Sequence, residues 1–167
     1  TARGVAKNQP SKLAAMEGIY VTEPKTPITL FGWTDDSTKT VKGIKIPGLL
    51  SFLVFHDFDT PVTGFDQIPE DERPPIQVVF QSYHMMIVMW SLMALLTILA
   101  CIQYRRKRLI HSKWILRGLV GSVIFPQVAN FSGWMTAEVG RQPWVVYGIL
   151  KTVDGISTNI HRDQVFF

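Results

Sequence analysis

Between Met85 and Ile102 the chain reads MMIVMWSLMALLTILACI, eighteen residues without a charge. At about 1.5 Å of rise per residue such a helix is roughly 27 Å long, close to the hydrocarbon thickness of a bilayer. The run therefore predicts a transmembrane helix, placed with its flank at 78–102. The 47% hydrophobic content of the 167 residues would suit one soluble domain if evenly spread. It is not evenly spread.

Gly118 to Ala137 again carries no charge, but Ser122, Pro126, Gln127, Asn130, Ser132 and Thr136 make it more polar. A helix facing lipid alone would not tolerate those groups; one packed against other helices or a cofactor would. The reading is a second span at 118–138, and a fold class of all-α membrane protein: a transmembrane helical hairpin, part of a larger helical bundle, preceded by an irregular outer segment at 1–77.

The net charge of +4 has a local origin. Arg105, Arg106, Lys107, Arg108, Lys113 and Arg117 lie between the two runs, which leaves 17 − 6 = 11 basic against 13 acidic residues elsewhere. A short basic loop, here 103–117, marks the cytoplasmic side of a membrane. Residues before Val78 and after Glu138 then lie outside. No aromatic or nucleic-acid motif accompanies the basic loop, so no nucleic-acid partner is expected. Cys101, the only cysteine, excludes disulfides and thiolate metal clusters within the chain. The start at Thr1 without a signal peptide suggests that something upstream is missing or encoded elsewhere.

Proline and glycine punctuate residues 1–77, so only short elements are expected there. SKLAAME is the best helix, with Ser11 as N-cap and Gly18 as terminator. ITLFGW and KGIKIPGLLSFLVF are apolar runs whose periodicity decides neither helix nor strand. DQIPEDERPP reads as a linker into the first span. In 139–167, Pro143 and Gly148 allow only brief helices, and the final VFF reads as the start of a further span.

Three clusters are candidates for chemistry. Lys12 and Glu17 are five apart, not an i,i+4 pair; a lysine can hold the ring oxygen of a quinol and a carboxylate can accept its proton, while the plain alternative is a solvated helix. FQSYHMMIVMW offers imidazole and thioether, both haem ligands, at membrane depth; Met85, Met86, Met89 and Met93 equally form a packing stripe. In GWMTAEVGRQPW, Trp134 and Glu138 are i,i+4 with Arg141 a turn further; the alternatives are an iron-ligating carboxylate with a propionate-pairing arginine, or an interfacial aromatic belt. The predicted topology puts all three clusters near the outer face.

These residues resemble a known family. QPSKLAAMEG is similar to the quinol-loop segment of subunit I of cytochrome bd oxidases, and KIPGLLSFL, EDERPP, FQSYHMM and GWMTAEVGRQPWVVYGILKT are similar to the stretches that follow it in the same order, together covering Val5 to Thr158.

The resemblance implies a part of a quinol:oxygen oxidoreductase that passes electrons through low-spin haem b, high-spin haem b and haem d, reduces dioxygen to water and generates a proton gradient. It implies Lys12 and Glu17 in quinol oxidation, Met86 as an axial ligand of the low-spin haem b iron, Glu138 at the high-spin haem b iron, Trp134 between haems, and Arg141 near the haem carboxylates. His84 stands where the family usually has an arginine touching the low-spin haem, Met85 leaves the ligand open by one residue, and Phe131 stands where some members carry a second acid. The remaining haem ligands precede this loop in the family, so the expected partners are the remainder of subunit I, subunit II, small accessory subunits, ubiquinol or menaquinol, and the lipid of a bacterial inner membrane that the protein crosses several times. The alternative class is a non-catalytic assembly subunit that keeps the hairpin without haem.

Overall fold

The computed structural model of the chain describes residues 2–35 and 37–155. Helices predominate: α1 (Ala2–Asn8), α2 (Pro10–Glu17), α3 (Leu49–Phe55), α4 (Ile76–Arg105), α5 (Lys113–Gly121) and α6 (Ile124–Val139). Two antiparallel hairpins, β1 (Ile28–Asp35) with β2 (Thr40–Ile46) and β3 (Trp144–Val146) with β4 (Leu150–Lys151), correct the all-α expectation. ITLFGW thus resolves as strand, pairing from Ile28↔Ile46 to Asp35↔Thr40 with an irregularity between Thr29 and Phe31. GLLSFLVF resolves as helix. The brief helices expected after Pro143 are a hairpin instead; the expected start of a further span lies outside the described residues.

SKLAAME is helical, but its cap is different. Pro10 occupies the first turn, where its fixed φ suits the helix and its missing N–H costs nothing. Ser11 is therefore inside the helix and buried, not its N-cap. Gly18 ends α2 as expected, at φ 67°, and its N–H bonds the carbonyl of Ala14. A side chain there would be strained and would collide with Val41.

The outer segment has its own apolar core. Leu13, Ala14, Ile19, Leu50, Val54, Val62, Phe65 and Ile68 pack together and against Val79 on the first turn of α4. Arg73, from the acidic proline-rich stretch, donates to the carbonyls of Phe65 and Ile68 and seals that junction. What read as a linker is thus part of the core's wall.

With thirty residues, α4 is about 45 Å long. It is the one helix among the described residues long and apolar enough to cross a membrane, with mean hydropathy 2.5 over its best window. The second run is broken. α5 ends at Gly121 and α6 starts at Ile124, so the expected continuous helix over 118–138 is replaced by a sixteen-residue helix of about 24 Å and the end of a shorter one.

α6 lies antiparallel along α4. Ser82 meets Thr136, Met86 faces Gly133, and Leu96 lies against Gly118. Ser132, Thr136 and Gly140, at i, i+4 and i+8, are the buried stripe of α6. Small residues let the two backbones approach closely, and their hydroxyls find partners at the seam. This explains the polarity of the second run: Ser132 and Thr136 face α4, whereas Gln127 and Asn130 are exposed.

Candidate functional site

Glu17 is the most deeply placed of the candidate residues, 4% exposed at the end of α2. Its Oε2 accepts the N–H of Thr29 at 3.3 Å, and Tyr83 from α4 also hydrogen-bonds its carboxyl. Burial raises its pKa to about 7 against the opposing pull of those two hydrogen bonds. Glu17 also borders a cavity of about 200 Å³ shared with Gly18, Glu23, Lys39, Val41 and Lys45. A near-neutral carboxyl at the wall of a polar cavity is the environment that a general base requires.

Lys12 does not join it. Five residues on a helix turn through about 500°, which leaves the two side chains about 140° apart. Lys12 Nζ instead donates to the carbonyl of Ala137 at 3.1 Å, at the C-terminal end of α6. Burial and the Arg141 guanidinium hold it below the usual lysine range, opposed by Glu138. The pairing read from sequence as one site is thus divided between two faces of α2.

At that second face Arg141 pairs with Glu138, and the Nε of Arg141 is buried without a hydrogen-bond partner. The indole N–H of the nearby Trp144 is buried and unpartnered as well. Trp134, one turn before Glu138, is 62% exposed on α6. Lys12, Glu138 and Arg141 therefore form a mixed-charge cluster with donor capacity left over, suited to an acidic or carboxylate-bearing group.

Met86 points into the groove between α4 and α6. A side chain on Gly133 would come within 3.0 Å of its sulfur, so the glycine leaves room for the thioether. Beside it a cavity of about 440 Å³ is lined by Met86, Ile87, Trp90, Met93, Ala129 and Asn130. Met85 is 45% exposed and does not border the cavity. A polarisable thioether bordering an almost wholly apolar cavity fits an iron porphyrin, and so do the spare donors near Glu138.

His84 faces away from Met86. Two residues from Met86, it lies about 200° away around the helix and faces the opposite side. Both ring nitrogens meet backbone carbonyls, Nδ1 that of Phe80 at 2.8 Å and Nε2 that of Thr29 at 2.9 Å. In this arrangement neither nitrogen is available to a haem or its propionate.

Sequence reasoning missed the partners of these residues. Gln77, Gln81 and His84 lie at i, i+4 and i+7 on α4 and bond Thr34, Gly32 and Thr29 of β1 in turn. That polar spacing was a visible signal. Its destination was not, since two of the three acceptors are backbone carbonyls of a strand whose pattern was ambiguous.

A family model described as cytochrome bd terminal oxidase subunit I matches residues 1–167. The chain is 32% identical to the cytochrome bd ubiquinol oxidase subunit 1 of Bacillus subtilis (strain 168), over 99% of its own length and 38% of the relative's. It is 26% identical to the cytochrome bd-II ubiquinol oxidase subunit 1 of Escherichia coli (strain K12), over 89% of its length and 42% of the relative's. Among solved structures, the bd oxidase from Geobacillus thermodenitrificans superposes with a TM-score of 0.75 at 32% identity, covering 98% of this chain and 38% of that one. The chain thus spans less than half the length of these relatives. With the family model matching the whole chain and a relative 32% identical over 99% of it, the chain belongs to the cytochrome bd terminal oxidase subunit I family.

Proposed function

We propose that this chain forms the quinol-oxidising outer segment and two haem-bearing helices of a cytochrome bd-type quinol oxidase in a bacterial inner membrane. The observation that carries the reading is Glu17, a buried carboxyl with pKa about 7 bordering a polar cavity. Half-ionised near neutral pH, it takes a proton from a quinol hydroxyl and passes it on without becoming trapped in either state. Lys39 and Lys45 supply positive charge at the same cavity for a developing quinolate oxygen.

Lys12 acts from the other face of α2, holding its ammonium beside Glu138 and Arg141. There Arg141 would pair with the carboxylates of the high-spin haem b, with Glu138 and Trp134 as the further residues that would hold it. Met86 would supply a thioether ligand to the low-spin haem b. When bound, these groups and haem d supply one-electron transfer from quinol and reduction of dioxygen to water. The basic loop Arg105–Arg117 supports an outer position for Glu17, from which the proton it accepts would be released outside and contribute to a proton gradient.

The relatives are longer than this chain, and the other haem ligands belong to the rest of subunit I, with subunit II as the further partner. The test is a visible spectrum of the complex containing this chain together with quinol kinetics of Glu17→Gln. Haem bands with a strong loss of quinol turnover in the variant support the reading. A colourless complex would make the chain an assembly subunit, and unchanged quinol kinetics would remove Glu17 from the reaction.

A further inference from the structure

The rail of hydrogen bonds between α4 and β1 ends at Thr29, where both backbone groups of one residue are engaged. In an extended strand the N–H and C=O of a residue project to the same side. On that side Thr29 donates its N–H to Glu17 Oε2 at 3.3 Å and accepts from His84 Nε2 at 2.9 Å. Its hydroxyl also donates to the Glu17 carbonyl, at 3.4 Å. Glu17, Thr29 and His84 are 4%, 4% and 5% exposed.

His84 is itself held firmly. Its ring stacks on the Phe80 ring at 4.1 Å and Tyr83 abuts it edge-on at 5.5 Å, and with the proton on Nε2 the Thr29 carbonyl accepts from it. Phe80 packs close to Gly18, the residue after Glu17, and Tyr83 hydrogen-bonds the Glu17 carboxyl. The first turns of α4 therefore surround this carboxyl directly through Tyr83 and indirectly through His84 and Thr29.

We propose that His84 is a positioning residue for the Glu17 carboxyl, acting through the Thr29 peptide group whose carbonyl it binds and whose N–H the carboxyl accepts. The consequence for chemistry rests on the reading of Glu17 as the quinol-side proton acceptor. A buried carboxyl keeps its donors only if they cannot rotate away, and Thr29 sits next to the irregularity in β1, where the ladder to β2 leaves its orientation least constrained. His84 removes that freedom. The other titratable groups facing the carboxyl are Tyr83 from α4, and Glu23, Lys39 and Lys45 around the cavity.

The test compares two polar variants in the assembled complex. His84→Gln carries an amide N–H close to the Nε2 position and keeps the donation to Thr29. His84→Asn reaches the Phe80 carbonyl but falls short of Thr29. The readout is the carboxyl C=O stretch of Glu17 in infrared difference spectra, identified by its loss in Glu17→Gln and followed across neutral pH. In His84→Asn the band shifts in frequency and its midpoint moves by about one pH unit; in His84→Gln both stay in place. An unmoved band in His84→Asn, or a moved band in His84→Gln, overturns the proposal; where His84→Asn does not assemble, His84→Leu, which fills the space without an N–H, takes its place with the same expected shift. An altered low-spin haem band with an unmoved carboxyl band would assign His84 to the haem instead. If the carboxyl band moves while Glu17→Gln leaves quinol kinetics intact, the positioning role stands and the quinol reading fails.

Discussion

Ser82 Oγ and Thr136 Oγ1 lie 2.8 Å apart, a buried hydrogen bond that joins α4 to α6 one turn from Met86 and two residues from Glu138. One hydroxyl donates to the other, and the one that accepts donates to its own helix, Ser82 to the carbonyl of Val79 or Thr136 to that of Ser132. The seam between the two proposed haem positions is thus fixed by polar groups at a small-residue contact. Ser82→Ala and Thr136→Val should each lower the stability of the detergent-solubilised complex by about 1 kcal/mol, and the double variant by little more than either alone. Fully additive losses would show that the hydroxyls act separately.

The burial of Glu17 makes the docking of α2 pH-dependent. Its folded pKa of about 7 lies above the ordinary 4.5, so the folded segment binds more protons than the undocked one between those values. Stability is then fully present below pH 4.5 and is lost as pH rises through 7, by about 3 kcal/mol in all. Hydrogen exchange of residues 10–29 should accelerate over that interval. Glu17→Gln, which carries no charge, should flatten the dependence; the same slope in that variant would point to another group.

Lys12 and Glu17 sit on different faces of α2, so their substitutions should act independently. Lys12→Met and Glu17→Gln should each slow quinol oxidation, with effects on kcat/KM that multiply within a factor of about two. Lys12→Met should in addition perturb the high-spin haem b signal through Glu138 and Arg141, which Glu17→Gln should leave alone. A strongly non-multiplicative double variant would bring the two back into one site.

Met86 and Met85 differ in environment more than in sequence. Met86→Leu nearly conserves volume but removes the sulfur from the groove, and should convert or abolish the low-spin haem b band. Met85→Leu, at an exposed position outside the cavity, should change the spectrum little. Glu138→Gln should disturb the high-spin haem b while the low-spin haem is still reduced by quinol. Redox-difference spectra of the three variants check all of this, and loss of the low-spin band in Met85→Leu alone would shift the ligand by one residue.

The basic loop gives a direct check on orientation. Protease added outside right-side-out vesicles should cut within residues 1–77 and spare Arg105–Lys113. Cleavage at the basic loop would reverse the placement of every outer residue discussed above.

The apolar run, the Gly18 stop and the candidate side chains were legible in the chain because each depends on local chemistry: continuous hydropathy, a positive φ, a residue type. The β1–β2 hairpin was not, since Gly32 and Gly43 interrupt its alternation and the partners that hold it are on a helix more than forty residues away. Nor was the separation of Lys12 from Glu17 into two clusters, although their 140° offset was. The offset says that two side chains diverge, but only the packing of α2 on α4, with β1 at Glu17 and the end of α6 at Lys12, says what each one reaches. The break near Ser122 had local marks in Gly121, where α5 ends, and Pro126, in the first turn of α6, but the unbroken lack of charge made the run read as one helix.

The run Met85–Ile102 takes eighteen of the thirty residues of α4, and the nine before it, 76–84, which include Gln77, Gln81, Ser82 and His84, rise about 14 Å further along the same axis. Tyr83 and His84 belong to that projecting stem, and Met86 begins the part that follows. The pocket around Glu17 and the thioether of Met86 are consequently gauged by a single stretch of α-helix shorter than one turn. When bilayer thickness tilts α4, both ride on the same rigid rod, and the distance between them is indifferent to the lipid around it.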